Sequence, residues 1–483
     1  MSKKGIVIGA VVIAGVLTAT PYIVGSQTEG NIYKQVAHFD QSQPVYQAKV
    51  LSYERNWLSS NAVIEVGVDM QALAGVDTSE LQWLTTELDL SLQHGPVLTD
   101  QGLSLGLLSW QLSNDGAGFA DVLDWNKDQL LYLQQGSVNL LGNANYQDVL
   151  AALRNAAGLK DLQFELAEYR GHGTYDGETL TYQGGVADFR LQADSMQVAV
   201  DNVQVEGAAE ASFAAVLAGD FYAGEGRVAA ESLAVTDARV GEVLVAEAMT
   251  MDYLTALEQK AEATDGSVSE LARMVINFGA DTLRVNAIEA KDITLHTMMS
   301  HLDKAFIDRY LDTLRDTANA EPEQIGEALA TLFEQHGLAF LKANPEFAIT
   351  EFSGSLPQGA FNANAAVSVN GVTAMPTSME DDAFWREHIR MHSDATVAKP
   401  LMQWAMQSYV HTSLMSSGQA QNYTQEQLTQ LAAQQAALMT QTFVQQGLLE
   451  DAGDSYKFNF SVADDTLTLN GQESPLGQAL GAM

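Results

Sequence analysis

Cysteine is absent from all 483 residues, which excludes disulfide staples, thiolate metal ligands and a thiol nucleophile. Cations are scarce: 24 Lys plus Arg stand against 61 Asp plus Glu, for a formal charge of -37 and a sequence pI near 4.3. Binding to DNA, RNA or anionic headgroups through charge is disfavoured by that balance, because such partners need cationic faces that release counterions. The acidity reads as colloidal solubility rather than as a cation site. No phosphate-binding Gly-x4-Gly-Lys-Ser/Thr loop occurs, and the acidic pairs Asp381-Asp382 and Asp464-Asp465 lack the alternating ligands and terminal Glu of a calcium loop. What is plentiful is apolar residue: 46% of the chain. That is enough for a substantial core, and the length suggests two to four structural units of about 100–200 residues each.

One long apolar run interrupts an otherwise polar-patterned chain. It extends from Gly5 to Gly25 directly after Lys3 and Lys4. About 20 apolar residues at about 1.5 Å rise cover the roughly 30 Å hydrocarbon core of a bilayer, and lysines on the short side favour its retention in the cytoplasm. A cleaved signal peptide is the rival reading. Its best cut, after Ala19, would leave Leu17 where a small residue is needed and Pro21 just beyond. The run is therefore expected to be an uncleaved anchor. Gly5 and Gly9 form a GxxxG pair, and Ala10, Ala14 and Thr18 repeat the small-residue spacing; this spacing suits a dimer seam, but small residues are common in membrane helices anyway.

After the run, short alternating segments separated by polar turns predict strands over Asn61 to Asp69, Thr86 to His94 and Leu103 to Leu112. Further strands are predicted at Phe164 to Tyr169, Thr179 to Tyr182, Ala187 to Ala193, Gln197 to Val205, Val228 to Val235 and Val243 to Met251. The period then changes. Met298, Leu302, Phe306, Tyr310 and Leu314 fall four apart and predict an amphipathic helix from about Leu295 to Thr317. Pro322 opens a second helix that ends before Pro345, and a third starts near Pro400. Thr424 with Gln427 has the form of a capping box for a fourth, stopped at Gly447. Strands return at Glu346 to Phe352, Phe361 to Val369 and Glu387 to Val397, and a hairpin closes the chain, Tyr456 to Val462 and Thr466 to Asn470. The expected fold is α+β: a transmembrane helix, then an extended, mostly antiparallel sheet with amphipathic helices inserted and packed on it. The expected divisions are a cytoplasmic tip 1–4, an anchor 5–25, a β-rich region 26–294, a helical pair 295–345 and a mixed region 346–483.

Chemical motifs fail in context. Gly102-Leu103-Ser104-Leu105-Gly106 has the letters of a nucleophile elbow but continues as a strand, with no helix behind Ser104. Gly224, Gly226 and Ala229 fit a loose dinucleotide pattern, again without the helix N-terminus it requires. His388 and His392 sit in an alternating segment, and residues four apart on a strand are about 13 Å apart, too far to share an ion. No catalytic residue, metal ligand or cofactor site is nominated.

Two short motifs remain. Tyr53-Glu54-Arg55-Asn56-Trp57-Leu58-Ser59-Ser60 and His94-Gly95-Pro96, behind a single N-terminal anchor, resemble the YdgA-like family of bacterial envelope proteins, a domain of unknown function. The ending, with Gly447-Leu448-Leu449 and Leu467-Thr468-Leu469-Asn470-Gly471, is similar as well. Asn56 and Leu58 depart from the family's usual Gly before and aromatic after the Trp. The resemblance implies an inner-membrane, single-pass protein with its C-terminal domain in the periplasm, and a homodimer; it supplies no catalytic residues. Physically, Trp57 beside Arg55 is expected to anchor the first strand by packing its indole, and Ser59 and Ser60 to cap the next segment. Pro96 ends a strand, with Gly95 supplying turn angles. The functional expectation is a non-enzymatic protein that binds lipid or another apolar ligand in a sheet groove. The alternatives are a dimeric scaffold for envelope proteins and, last, a periplasmic hydrolase.

Overall fold

The computed structural model describes residues 24–37, 39–40, 46–69, 83–100, 102–156, 162–212, 215–216, 220–259, 270–286, 288–317, 320–376, 378–416 and 423–475. Lys3, Lys4, Gly5, Gly9 and most of the expected anchor lie outside these residues. Among the described residues, no helix is long and apolar enough to cross a membrane. The chain divides into two compact units, Met1–Gly241 with Asp308–Leu329, and Glu242–Ile307 with Ala330–Met483.

In the first unit, helix α1 (residues 24–37) precedes a meander of β1 (Tyr46–Arg55), β2 (Ser59–Asp69), β3 (Trp83–His94), β4 (Val97–Leu98), β5 (Ser104–Leu105), β6 (Leu108–Asn114), β7 (Leu123–Trp125), β8 (Tyr132–Val138), β9 (Ala144–Leu150), β10 (Leu153–Asn155), β11 (Leu162–Leu166), β12 (Tyr169–Tyr175), β13 (Leu180–Ala193), β14 (Met196–Ala209) and β15 (Gly224–Asp237). The antiparallel order is β1-β2-β3-β6-β8-β9-β12-β13-β14-β15. A fork occurs at β13, where β12 pairs with its first half and β11 with its second; β11 continues into β10 and β7. Ile32 and Val36 of α1 pack on Ala62, Ile64, Leu90 and Leu92, the core of β2 and β3.

The second unit contains β16 (Gly241–Gln259), β17 (Glu270–Val285), β18 (Ile288–Asp303), β19 (Glu346–Leu356), β20 (Gly359–Val369), β21 (Ile389–Ala398), β22 (Glu450–Asp451), β23 (Ser455–Ala463), β24 (Thr466–Leu469) and β25 (Gln472–Pro475). The order is again a meander, β16-β17-β18-β19-β20-β21-β23-β24-β25, with β22 on β23. Helices α2 (Lys304–Asp316) and α3 (Pro322–Lys342) straddle the division between units. Helix α4 (Asp382–His388) precedes β21, and α5 (Lys399–Ser416) pairs with α6 (Gln425–Gln445) around Val410, Leu414, Leu428, Ala432 and Ala436.

Three strands carry a left-handed residue in their interior: Asn202 in β14, Ala248 in β16 and Asp292 in β18, at φ 49°, 50° and 51°. At each, the apolar alternation changes phase. In β14 it passes from Val198 and Val200 to Val203 and Val205; in β16 from Leu244 and Ala246 to Met251 and Tyr253. Such an irregularity offsets the pleat by one residue, so apolar side chains stay on one face of a bent strand.

Several sequence expectations are corrected. Residues 295–303, read as the start of a helix, belong to β18, and the helix begins at Lys304. The four-residue spacing of Met298 and Leu302 is equally a strand period, and pairing with β17 decides it. Phe164 to Tyr169 is divided between β11 and β12, whereas the two segments on either side of Gly184-Gly185 are one strand, β13. His388 ends α4 rather than lying in a strand, its Nδ1 2.9 Å from the Phe384 carbonyl oxygen.

Candidate functional site

The two sequence motifs converge on one buried polar cluster in the first unit. Pairing of β2 with β3 sets Ser60 beside the end of β3, and Ser60 Oγ lies 3.0 Å from His94 Nε2. Both residues are fully buried. His94 Nδ1 completes no well-formed hydrogen bond, although the Trp57 backbone is close enough to favour a proton on the ring. Burial pushes the imidazole below its ordinary value; the Trp57 backbone opposes that shift and the Arg55 charge adds to it. Helix α1 closes the cluster. Glu29 pairs with Arg55 at 3.1 Å, and the Tyr33 and Tyr53 rings lie 6.1 Å apart. The Tyr53 hydroxyl is buried beside Ser60, without a well-formed bond of its own, and desolvation raises its pKa.

Individual roles differ from the sequence reading. Ser59 and Ser60 cap nothing; both are inside β2, and Ser60 binds the histidine. Trp57 does not pack as an anchor, since it sits on the β1–β2 turn with 54% of its surface exposed. Glu54 is an exposed β1 residue paired with Asn61. β3 does end at His94 before Gly95-Pro96. Gly95 is required by close approach rather than by turn angles, because a β-carbon there would stand 1.7 Å from the Gly106 carbonyl oxygen.

A serine and a histidine at 3.0 Å have the separation of a nucleophile and its base. Chemistry needs more: a substrate must reach the serine, and a third group must orient the ring. Here both side chains are sealed beneath α1, and the second ring nitrogen lacks an acceptor of good geometry. In this arrangement the pair is a clasp between strands and helix. Ser104, the other serine considered, lies exposed in the two-residue strand β5. Among the described residues, no three or more His, Asp or Glu gather as a metal set.

A second buried polar group, absent from the sequence reading, lies farther along the same sheet. Asp148 of β9 is buried and accepts hydrogen bonds from the Tyr182 hydroxyl at 3.1 and 3.2 Å, while Tyr182 and Tyr169 share a short contact. Burial pushes the Asp148 carboxyl up, Tyr182 well up and Tyr132 up to about 12. The rings lie over glycines of neighbouring strands. A β-carbon on Gly171, Gly173 or Gly184 would stand 2.1–2.3 Å from Tyr182, Tyr146 or Tyr169. Those rings fill the space a ligand would need.

A continuous apolar surface lies in the second unit. Cross-strand registers align Met251, Phe278, Leu295, Phe352, Ala363, Ala395 and Phe458 in one row. Tyr253, Ile276, Thr297, Ile349, Ala365, Ser393 and Phe460 form the next, and Met274, Met299, Phe347, Val367, Met391 and Val462 a third. Residues two apart on a strand share a face, and in β19, where Ile349 and Phe352 are three apart, a register shift restores the phase; the rows therefore make one surface, two of them across seven strands and the third across six, about 30 Å wide at the usual strand spacing. Phe278, Phe347, Phe352 and Met391 each keep 41–45% exposure. Alternate residues carry the polar groups Asp252, Asn277, His296 and Glu351, with His296 Nδ1 3.5 Å from Glu351.

Long antiparallel meanders, one with a helix clasped over a buried histidine and one with a half-exposed apolar face, make this a mostly antiparallel β-sheet protein with helices. The family model for the bacterial proteins of unknown function DUF945 matches residues 1–477, and the chain belongs to that family. No curated protein and no solved structure matches it.

Proposed function

We propose that this protein is a non-enzymatic, membrane-tethered envelope protein whose second unit holds the acyl chains of a lipid against its sheet. The observation that carries this reading is the three-row apolar face with half-exposed Phe278, Phe347, Phe352 and Met391. Contiguous exposed apolar surface of this extent marks an interaction site. Methionine at Met251, Met274, Met299 and Met391 suits it to flexible chains, because unbranched thioether side chains adapt to irregular contacts. The tether is the Gly5–Gly25 run behind Lys3 and Lys4, oriented with its C-terminal side in the periplasm of a bacterial inner membrane. A tether of this kind keeps the apolar face within reach of its ligand's source.

Native mass spectrometry of the full chain, released from detergent, tests the reading. Phospholipid-mass adducts are expected on the wild type and reduced at least tenfold in a Phe278→Asp/Phe352→Asp variant. Adduct-free wild type from membrane-rich preparations counts against it and favours the homodimeric scaffold, in which a second protein covers the same face.

A further inference from the structure

The strand ends of the first unit differ sharply at their two extremities. At one end the register pairs Ser59 with Gln93 and aligns the next residue, His94, with Leu108, Val138 and Ala144, so the β1–β2 turn, the 95–107 connection and the β8–β9 turn lie side by side. Backbone bonds join them: His94 N–H donates to Leu58 O at 2.8 Å, Gly95 N–H to Leu107 O at 2.8 Å and Leu107 N–H to Val138 O at 2.8 Å. Their tips are apolar and bare. Leu141 is 88% exposed, Leu103 84%, Leu105 66%, Leu58 57%, Trp57 54% and Leu140 51%. Residues 56–60, 95–107 and 139–143 contain a single charged side chain, Asp100, whose carboxylate accepts a bond from Ser109 at 2.7 Å. In a chain of net charge -37 that is a marked local depletion. The β6–β8 connection, at the opposite extremity, carries Asp115, Asp121, Asp124, Lys127 and Asp128. The patch is also bounded on its own side, since the next turn, between β12 and β13, bears Asp176 and Glu178.

The apolar run from Gly5 ends at this rim. A β-carbon on Gly25, its last residue, would stand 2.5 Å from Cε1 of His94, the residue that ends β3 between the first two of these loops. We propose that the three loops form a membrane-seating rim: Trp57, Leu58, Leu103, Leu105, Leu140 and Leu141 insert into the interfacial layer of the same bilayer that holds the anchor. The chemistry fits a lipid surface better than a protein. The rim is discontinuous loop tips rather than a groove, an indole at its edge is the side chain that favours the headgroup boundary, and the loss of carboxylates removes repulsion from anionic lipid. Seating would fix the first unit against the membrane instead of leaving it on a free tether.

The inference rests on the anchor reading, and the cysteine-free chain allows both to be tested separately. Single variants Leu103→Cys, Leu141→Cys, Ala14→Cys and Asp128→Cys of the full chain are labelled with an environment-sensitive fluorophore. They are then reconstituted in phosphatidylethanolamine and phosphatidylglycerol vesicles containing brominated chains. Quenching at positions 14, 103 and 141, each several-fold above position 128, is expected. Quenching at 14 with 103 and 141 no different from 128 overturns the rim while leaving the anchor; absence of quenching at 14 overturns both. In a Leu103→Asp/Leu141→Asp background, a label at Leu58→Cys should lose most of its quenching, and unchanged quenching there also overturns the rim.

Discussion

Gly25 lies against the imidazole of His94 so closely that a β-carbon on it would stand 2.5 Å from Cε1 and 2.8 Å from Nδ1. The helix that follows the expected anchor is thereby keyed into the end of β3. Gly25→Ala should destabilise the first unit by about 1–3 kcal/mol, the usual cost of forcing an extra carbon into a packed site. Thermal unfolding of the full chain measures the loss. Removing the ring should relieve it, so Gly25→Ala should cost less in a His94→Ala background than alone; additive losses would show that the two residues do not meet.

The same histidine makes acid stability predictable in sign. Burial lowers its pKa in the folded state below the ordinary 6.5, so at acid pH the unfolded chain binds a proton that the folded chain refuses. Stability from this group is fully present above about pH 6.5 and falls as pH drops below it, as linkage requires. The groups around it do not reverse that sign: Arg55 disfavours a second cation, Glu29 is paired with Arg55, and burial raises the Tyr53 hydroxyl's pKa so that it stays neutral there. Urea midpoints between pH 7.5 and 5 should fall more steeply for the wild type than for His94→Gln. Parallel curves would assign the acid sensitivity elsewhere.

Tyr182 donates to the buried Asp148 carboxylate. Tyr182→Phe should cost about 1–3 kcal/mol, because a buried acceptor loses its donor. Asp148→Asn, which keeps a polar side chain and removes the charge, should cost less. Chemical denaturation with both variants ranks them, and the reverse order would mean that the charge rather than the hydrogen bond holds the tyrosines.

Thr424 accepts from Gln427 N–H at 3.3 Å while Gln427 Oε1 accepts from Thr424 N–H at 2.9 Å. Thr424→Ala should lower stability by about 1 kcal/mol, read as a shift in the thermal midpoint. A change under about 0.3 kcal/mol would mean that the α5–α6 core alone fixes the helix start.

How far the chain declares its fold depends on the range of the forces involved. The capping box, the terminal hairpin through Asp464 and Asp465, and the proline-opened helix at Pro322 are local signals, and all three stand in the structure. Strand lengths were less legible. The sequence suggests a break at Gly184-Gly185, yet β13 runs through it, and glycine there makes room for the Tyr169 ring of a neighbouring strand. The strand read from sequence over Val243 to Met251 extends in the structure over Gly241–Gln259, and its left-handed Ala248 leaves no mark in sequence. The Tyr53–Ser60 and His94–Pro96 motifs were visible as letters, but their meeting was not, since Ser60 and His94 are 34 residues apart and only β2–β3 pairing unites them. Asp148 and its tyrosines lacked even a motif. Their signal was Gly-x-Gly at 171–173 facing Tyr146 and Tyr182, which needs the register before it can be read.

In the proposed function the apolar face of the second unit holds acyl chains. Photolysis of the full chain in vesicles doped with a diazirine-bearing phospholipid, followed by peptide mass mapping, addresses it most directly. The account predicts adducts on β17, β19 and β21, on peptides containing Phe278, Phe347, Phe352 and Met391, and their loss in Phe278→Asp/Phe352→Asp. Labelling confined to residues 5–25 and the loop tips around Leu103 and Leu141, with the sheet face untouched, would contradict it.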